Sequence, residues 1–230
     1  AKQNWTSTEI LAASIRNVRD VGRAFEYGAN ICTIPTKVFE GMYNHILTDT
    51  DRGVTKVLNS NTYAESATDA DTLTAFNSDG FALGDDDKVN TNAENFVSWT
   101  FRKQEGFFDI VSYTGDGTTN RQISHNLGSV PGMILLKNTD PNNQSWYVYH
   151  VGAGATHYQQ LNSNGPFYDD AGPFNDTAPT STVFTLGNPG YINTNGYNYI
   201  VYLFANNEAA FGDDEDEAII KCGSYTGNGT

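Results

Sequence analysis

The sequence predicts a mainly β protein. Its expected form is a tandem array of antiparallel β-sandwich units, jelly-roll-like and about 100 residues each, with a short N-terminal helix. Three observations lead there. Short runs of β-branched and aromatic residues are separated by turns rich in Gly, Asn, Asp and Pro. Beyond the first 25 residues no helical period is sustained. Blocks of sequence also recur in a fixed order at a fixed spacing.

The chain opens differently from the rest. Thr6-x-x-Glu9 has the spacing of a capping box, in which both side chains satisfy free N–H groups at a helix start. Leu11, Ile15, Val18, Gly22 and Phe25 follow at helical steps, with Arg16, Arg19 and Arg23 between them. This predicts an amphipathic helix over residues 7–24. Such a helix either packs on its own sandwich or offers an apolar stripe for docking.

The β elements are clearest in the second half. Residues 109–113 form a strand-type run that ends at Thr114-Gly115-Asp116-Gly117, which predicts a tight hairpin turn. The apolar run 132–137 predicts a strand buried on both faces, and Asn138 to Asn143 a loop. Trp146-Tyr147-Val148-Tyr149-His150 and the alternating run 182–186 predict two more strands. Residues 198–204 place Tyr199, Val201 and Leu203 on one face and Ile200, Tyr202 and Phe204 on the other, so both faces are apolar.

The recurrence sets the domain organisation. Leu58-Asn59-Ser60 returns as Leu161-Asn162-Ser163, and Phe81-x-Leu83-Gly84 as Phe184-x-Leu186-Gly187. Asn90-Thr91-Asn92 returns as Asn193-Thr194-Asn195. The run Asn95-Phe96-Val97-x-Trp99-x-Phe101 returns as Asn198-Tyr199-Ile200-x-Tyr202-x-Phe204. All four share an offset of 103, which predicts two units that match without a gap from Tyr43 to Phe101. Ser112-Tyr113-Thr114-Gly115-Asp116-Gly117-Thr118 returns as Ser224-Tyr225-Thr226-Gly227-Asn228-Gly229-Thr230, at an offset of 112. The expected layout is a helix over 1–25, a first unit over 26–105 with a remodelled or truncated start, and a second unit over 106–205. An acidic insertion over 206–218 and the start of a third unit over 219–230 follow. A unit that opens at 219 cannot bury its face by 230, so the stretch is expected to belong to a longer array.

Composition narrows the function. The 230 residues carry 13 basic and 27 acidic side chains, a formal net charge of −14. A nucleic-acid backbone binder needs the opposite balance, so no nucleic-acid partner is expected. No stretch reaches the length of an apolar membrane span, so no membrane partner is expected either. Cys32 and Cys222 are too few for a disulfide framework and read as buried thiols.

Motifs that carry chemistry are weak. His150 and His157 lie seven apart around Gly152-Ala153-Gly154, a poor spacing for a metal or a catalytic pair. Asp85-Asp86-Asp87 and Asp213-Asp214-Glu215-Asp216-Glu217 read as solvated loops, with weak calcium binding as the rival. Trp146, Tyr147 and Tyr149 read as core, with sugar stacking as the rival. Four Asn-x-Ser/Thr triplets are what chance yields in so Asn- and Thr-rich a chain. No catalytic, cofactor-binding or metal-binding residue is therefore assigned, no cofactor is expected, and the chain is expected not to be an enzyme.

The repeated motifs resemble a known family. Gly106 to Gly115, Ser124 to Asn138 and Trp146-x-Val148-Tyr149-His150 are similar to a repeat of large virion proteins in marine tailed bacteriophages. So are Ala178 to Phe184, Phe76-x-Ser78-Asp79-Gly80-Phe81-x-Leu83-Gly84 and the closing Gly223 to Gly229. The resemblance implies a tail-fibre-like structural protein of the virion, working in assembly and host-surface contact. It implies other virion proteins and copies of itself as partners, a trimer being favoured, and a host-surface glycan as a further candidate. A capsid decoration or head-fibre protein, and a carbohydrate-binding module of a secreted protein, are the alternatives.

Overall fold

The computed structural model describes residues 11–12, 31–32, 46–206 and 219–228. The described chain is mainly β, arranged in several antiparallel sheets. In chain order the first strands are β1 (Leu11–Ala12), β2 (Ile31–Cys32), β3 (Ile46–Leu47) and β4 (Lys56–Asn59). β5 (Ala67–Thr68), β6 (Leu73–Phe76), β7 (Phe81–Leu83) and the one-turn helix α1 (Asp87–Asn90) follow. The second half holds β8 (Phe108–Thr114), β9 (Arg121–Ser124), β10 (Pro131–Asn138), β11 (Tyr147–His150), β12 (His157–Gln160) and β13 (Tyr168–Asp169). It closes with β14 (Val183–Leu186), the turn α2 (Pro189–Ile192) and β15 (Asn198–Ala205).

A six-stranded sheet in the order β13-β12-β11-β10-β15-β8 is the centre of the molecule. β15 is an inner strand, paired with β10 on one side and β8 on the other, and all its residues but Asn198 are buried. Its alternation decides the layering. Tyr199, Val201 and Leu203 enter one core with Ile134, Leu136, Tyr147 and Tyr149 of the same sheet face. Ile123 of β9 and Phe184 and Leu186 of β14 close that core from the other side. Ile200, Tyr202 and Phe204 enter a second core on the opposite face, with Trp146, Phe108 and Leu58.

The structure departs from four expectations of the sequence. Leu11–Ala12 is a strand that pairs in parallel with Ile31–Cys32, so no unbroken helix runs over 7–24; the other residues of that span lie outside the described ones. Thr114-Gly115-Asp116-Gly117 does not close a hairpin. β8 pairs with β15 while β9 pairs with β14, so the turn carries the chain from one sheet to the other. The gap-free offset of 103 also fails. β3, β4 and β5 match β11, β12 and β13 at an offset of 101, in pairing and in register. Finally, residues 95–101, the sequence counterpart of β15, form no strand.

Backbone hydrogen bonds show where the two residues enter. Gly53 N–H donates to Asp49 O and Gly154 N–H to His150 O; Asp69 N–H donates to Thr55 O and Asp170 N–H to Thr156 O. Each of these pairs is 101 apart. Gly53 and Gly154 both sit at positive φ, +93° and +78°, where a side chain is strained. Gly84 N–H then donates to Thr72 O, and Gly187 N–H to Pro173 O. The donors are 103 apart and the acceptors 101, so two extra residues lie between Pro173 and Gly187.

Candidate interaction surface

The first half is tied to the second face of the central sheet by polar groups that cross from one to the other. Arg52 Nε donates to Asp49 Oδ2 at 2.6 Å, and its Nη2 donates to Tyr202 Oη at 3.2 Å. Tyr202 Oη in turn donates to Asp49 Oδ2 at 2.8 Å. Burial, more than the charges beside it, pushes the Tyr202 hydroxyl far above its ordinary range. Trp146, wholly buried, donates from Nε1 to Asn59 O at 3.0 Å. Lys137, also wholly buried, donates from Nζ to Gln144 O at 2.7 Å and Tyr63 O at 3.2 Å. Burial lowers its amine to about 8, against a smaller opposing pull from Glu65.

The residues singled out for chemistry from sequence are mostly used up in structure. Trp146, Tyr147 and Tyr149 are core, and present no face to a sugar. His150 Nδ1 accepts from Gly152 N–H at 3.1 Å, while His157 Nδ1 is 2.8 Å from Thr156 Oγ1. Asp86 caps α1 through Lys88 N–H at 2.7 Å, and Lys88 Nζ bridges Asp86 and Asp69. Within the acidic loop at 85–87, Asp86 is thus already paired with an ammonium. The residues at 213–217 lie outside the described ones, as does the side chain of Cys32. Cys222 is half-buried, its thiol pushed up by burial. Among the described residues no group of three or more His, Cys, Asp or Glu is placed to hold a metal ion. No described helix is long and apolar enough to cross a membrane.

What sequence reasoning missed is an exposed apolar segment. Phe96, Val97, Trp99 and Phe101 are all solvent-exposed, Val97 by 78% and Trp99 by 76%. Large apolar side chains clustered at a surface mark contact sites more often than scattered ones do. Phe101 anchors the segment, with ring centroids 5.3 Å from Phe108 and 5.5 Å from Phe204. The signal was present: this segment repeats the sequence of β15, an inner strand, yet forms no strand itself.

A second surface segment docks on the sheet through Ile220, which packs against both cores. Cys222 N–H donates to Asn206 Oδ1 at 2.9 Å, beside Gly132 of β10. Ser224 and Tyr225 continue past Gly152, where an open cleft of about 420 Å³ is lined by His150, Gln159, Phe167 and Tyr225. Tyr225 is 96% exposed.

Fold and surface together define a mainly β protein of antiparallel sheets, with an exposed apolar segment at its surface. A family model, described as a domain of unknown function (DUF7483), matches residues 27–230, and the chain belongs to that family. Shorter likenesses also exist. A probable transaldolase of Caulobacter vibrioides is 55% identical over 42 residues, 18% of this chain and 19% of the relative. One of Coprothermobacter proteolyticus is 47% identical over 51 residues, 22% and 23% of the two chains. The chain thus spans about a fifth of the length of these curated relatives. No solved structure matches it.

Proposed function

We propose that this chain is a non-catalytic structural component of a phage virion, in a tail fibre or tail-associated appendage, where it serves assembly and host-surface contact. The observation that carries the reading is the ordered set of repeated motifs, together with the backbone hydrogen bonds duplicated between 46–84 and 147–187. Duplicated β units suit an elongated, repetitive particle part, since each unit meets its neighbours in the same way. The tandem jelly-roll-like units, the virion location, the self-association and contact with other virion proteins or a host glycan all belong to this proposal. Antibodies against the chain, applied to purified particles of a phage that encodes it, test the reading. Labelled tails support it; labelled heads move it to a capsid decoration or head fibre; particles without label overturn it.

A second reading has its own observations. The parallel pair β1–β2 differs from every other pairing in the described chain, and parallel strands need a crossover connection of the kind found in α/β enzymes. Together with the short likeness to probable transaldolases, this supports an enzyme-derived segment within the chain. Transaldolase activity of the purified chain would favour it.

A further inference from the structure

We infer that residues 95–101 are the displaced middle strand of the first unit, and that they insert between β1 and β2 of the same chain. The first unit then has two arrangements, one with this segment exposed and one with it enclosed in a sheet. The inference rests on the duplication of units within the proposed function, not on the virion location.

The template is the centre of the six-stranded sheet. β15 runs antiparallel to β10 on one side and to β8 on the other, so β8 and β10 are parallel to each other with β15 between them. β1 lies 101 residues before Ser112 and Tyr113 of β8, and β2 lies 101 before Gly132 and Met133 of β10. The same offset relates β3, β4 and β5 to β11, β12 and β13. From Gly84 onward the offset is 103, and there residues 95–101 repeat the sequence of Asn198 to Phe204 in β15.

β1 and β2 pair directly and in parallel, Leu11 with Ile31 and Ala12 with Cys32. The other strand pairs among the described residues are antiparallel. A parallel pair is what remains of the order β8-β15-β10 when its middle strand is taken out. The counterpart of that strand stands outside any sheet. Residues 95–101 form no strand, and Phe96, Val97, Trp99 and Phe101 are exposed where Tyr199, Ile200, Tyr202 and Phe204 are buried.

Insertion gives this segment backbone partners on both sides and removes apolar surface from water against the neighbouring strands. Contacts at its end hold it where it is. Phe101 packs on Phe108 and Phe204, while Lys103 Nζ donates to Ile110 O and pairs with Asp51 Oδ1, both at 2.9 Å. The parallel pair that must open is two residues long, and parallel pairing is the weaker kind per residue. The register transfers from the template. Val97 comes opposite Leu11 and Phe96 opposite Ala12, as Ile200 opposes Ser112 and Tyr199 opposes Tyr113. The template also sets position 36, not Ile31, level with Leu11, so β2 moves along β1 as the strand enters.

Disulfide trapping tests both arrangements. In a Cys32→Ser, Cys222→Ser background, Leu11→Cys with Val97→Cys reports the inserted strand, and Leu11→Cys with Ile31→Cys reports the parallel pair. Facing residues of antiparallel strands lie about 4.5–5.5 Å apart between Cα atoms, within disulfide reach. Under copper–phenanthroline at micromolar protein, each variant should lose its free thiols within a single chain, with the link mapped by peptide mass spectrometry. Chymotrypsin should cut residues 95–101 in the chain linked between 11 and 31, and the cut should be lost in the chain linked between 11 and 97. Closure of the 11–97 pair without the 11–31 pair also supports insertion. A folded Leu11→Cys/Val97→Cys protein that keeps its thiols, links only between chains, or is cut as fast as the other linked form overturns the inference. Circular dichroism and melting temperature establish folding; where that pair fails to fold, Ala12→Cys with Phe96→Cys reads the same register. Particle labelling is a separate experiment, so failure of the virion location leaves this one intact.

Discussion

Lys137 is a charged group placed where no water reaches it. Its two carbonyl acceptors hold the ammonium, but burial still lowers its folded value from 10.5 to about 8. The unfolded chain therefore binds more protons between these values, and stability rises with pH from about 8 to 10 by at most about 3 kcal/mol. Lys137→Met should remove this rise in urea melts at stepped pH; an unchanged slope would assign it to another group. Above pH 10 the trend reverses, because burial holds the hydroxyls of Tyr147 and Tyr202 protonated longer than in the unfolded chain. The Asp49–Arg52–Tyr202 group makes a second expectation. Both charged side chains are nearly out of solvent. Arg52→Ala strands the Asp49 carboxylate, and a loss of about 3–5 kcal/mol in chemical unfolding is expected. Asp49→Asn with Arg52→Met, which removes both charges, should recover part of it.

At the scale of elements, the glycines that end β7 and β14 carry the same constraint in both halves. A Cβ on Gly84 would lie 2.1 Å from Asp71 O, and one on Gly187 2.3 Å from Gly172 O. Neither backbone can give way without breaking its neighbours. Gly187→Ala and Gly84→Ala should each lower stability by about 1–3 kcal/mol, read as melting temperature. A neutral result at both positions would show that the strand ends tolerate movement. The loop between β8 and β9 is held differently. Asp116 accepts from Thr118 N–H, Thr118 Oγ1 and Asn193 Nδ2, which holds its carboxyl down at about 2. Its contribution is present above the ordinary carboxylate range and is lost as pH falls from about 4 through 2. Asp116→Asn should flatten that part of the acid-unfolding curve.

The whole molecule carries a net charge of −14 over 230 residues. Repulsion between like charges weakens the compact state and is screened within about 10 Å at 0.1 M salt. The melting temperature should rise as sodium chloride is added from low ionic strength, and fall short of any further rise once screening is complete. A fall throughout would show that attractive pairs such as Lys103–Asp51, 2.9 Å apart, outweigh the repulsion.

The sequence by itself determined the β class, the turn positions and the two-sided character of β15, because a period of two and apolar residues at every step are local properties. It also held the duplication, although not its true phase. Matching letters favoured one offset of 103, whereas the backbone keeps 101 through β3, β4 and β5 and changes only near Gly84, since hydrogen-bond register tolerates an insertion that letter matching hides. Only the tertiary structure decided which faces are covered. Trp146 and residues 95–101 have similar local composition, yet Trp146 is buried under Leu58 and Asn59 while Trp99 faces solvent. The difference lies in which strands stand beside each, and pairing between distant strands is not written in any local window. The same reason separates the hairpin that Thr114 to Gly117 suggested from the crossing between sheets that it makes. A turn fixes the direction of the chain locally, but its strands pair with whichever distant edges bury their side chains.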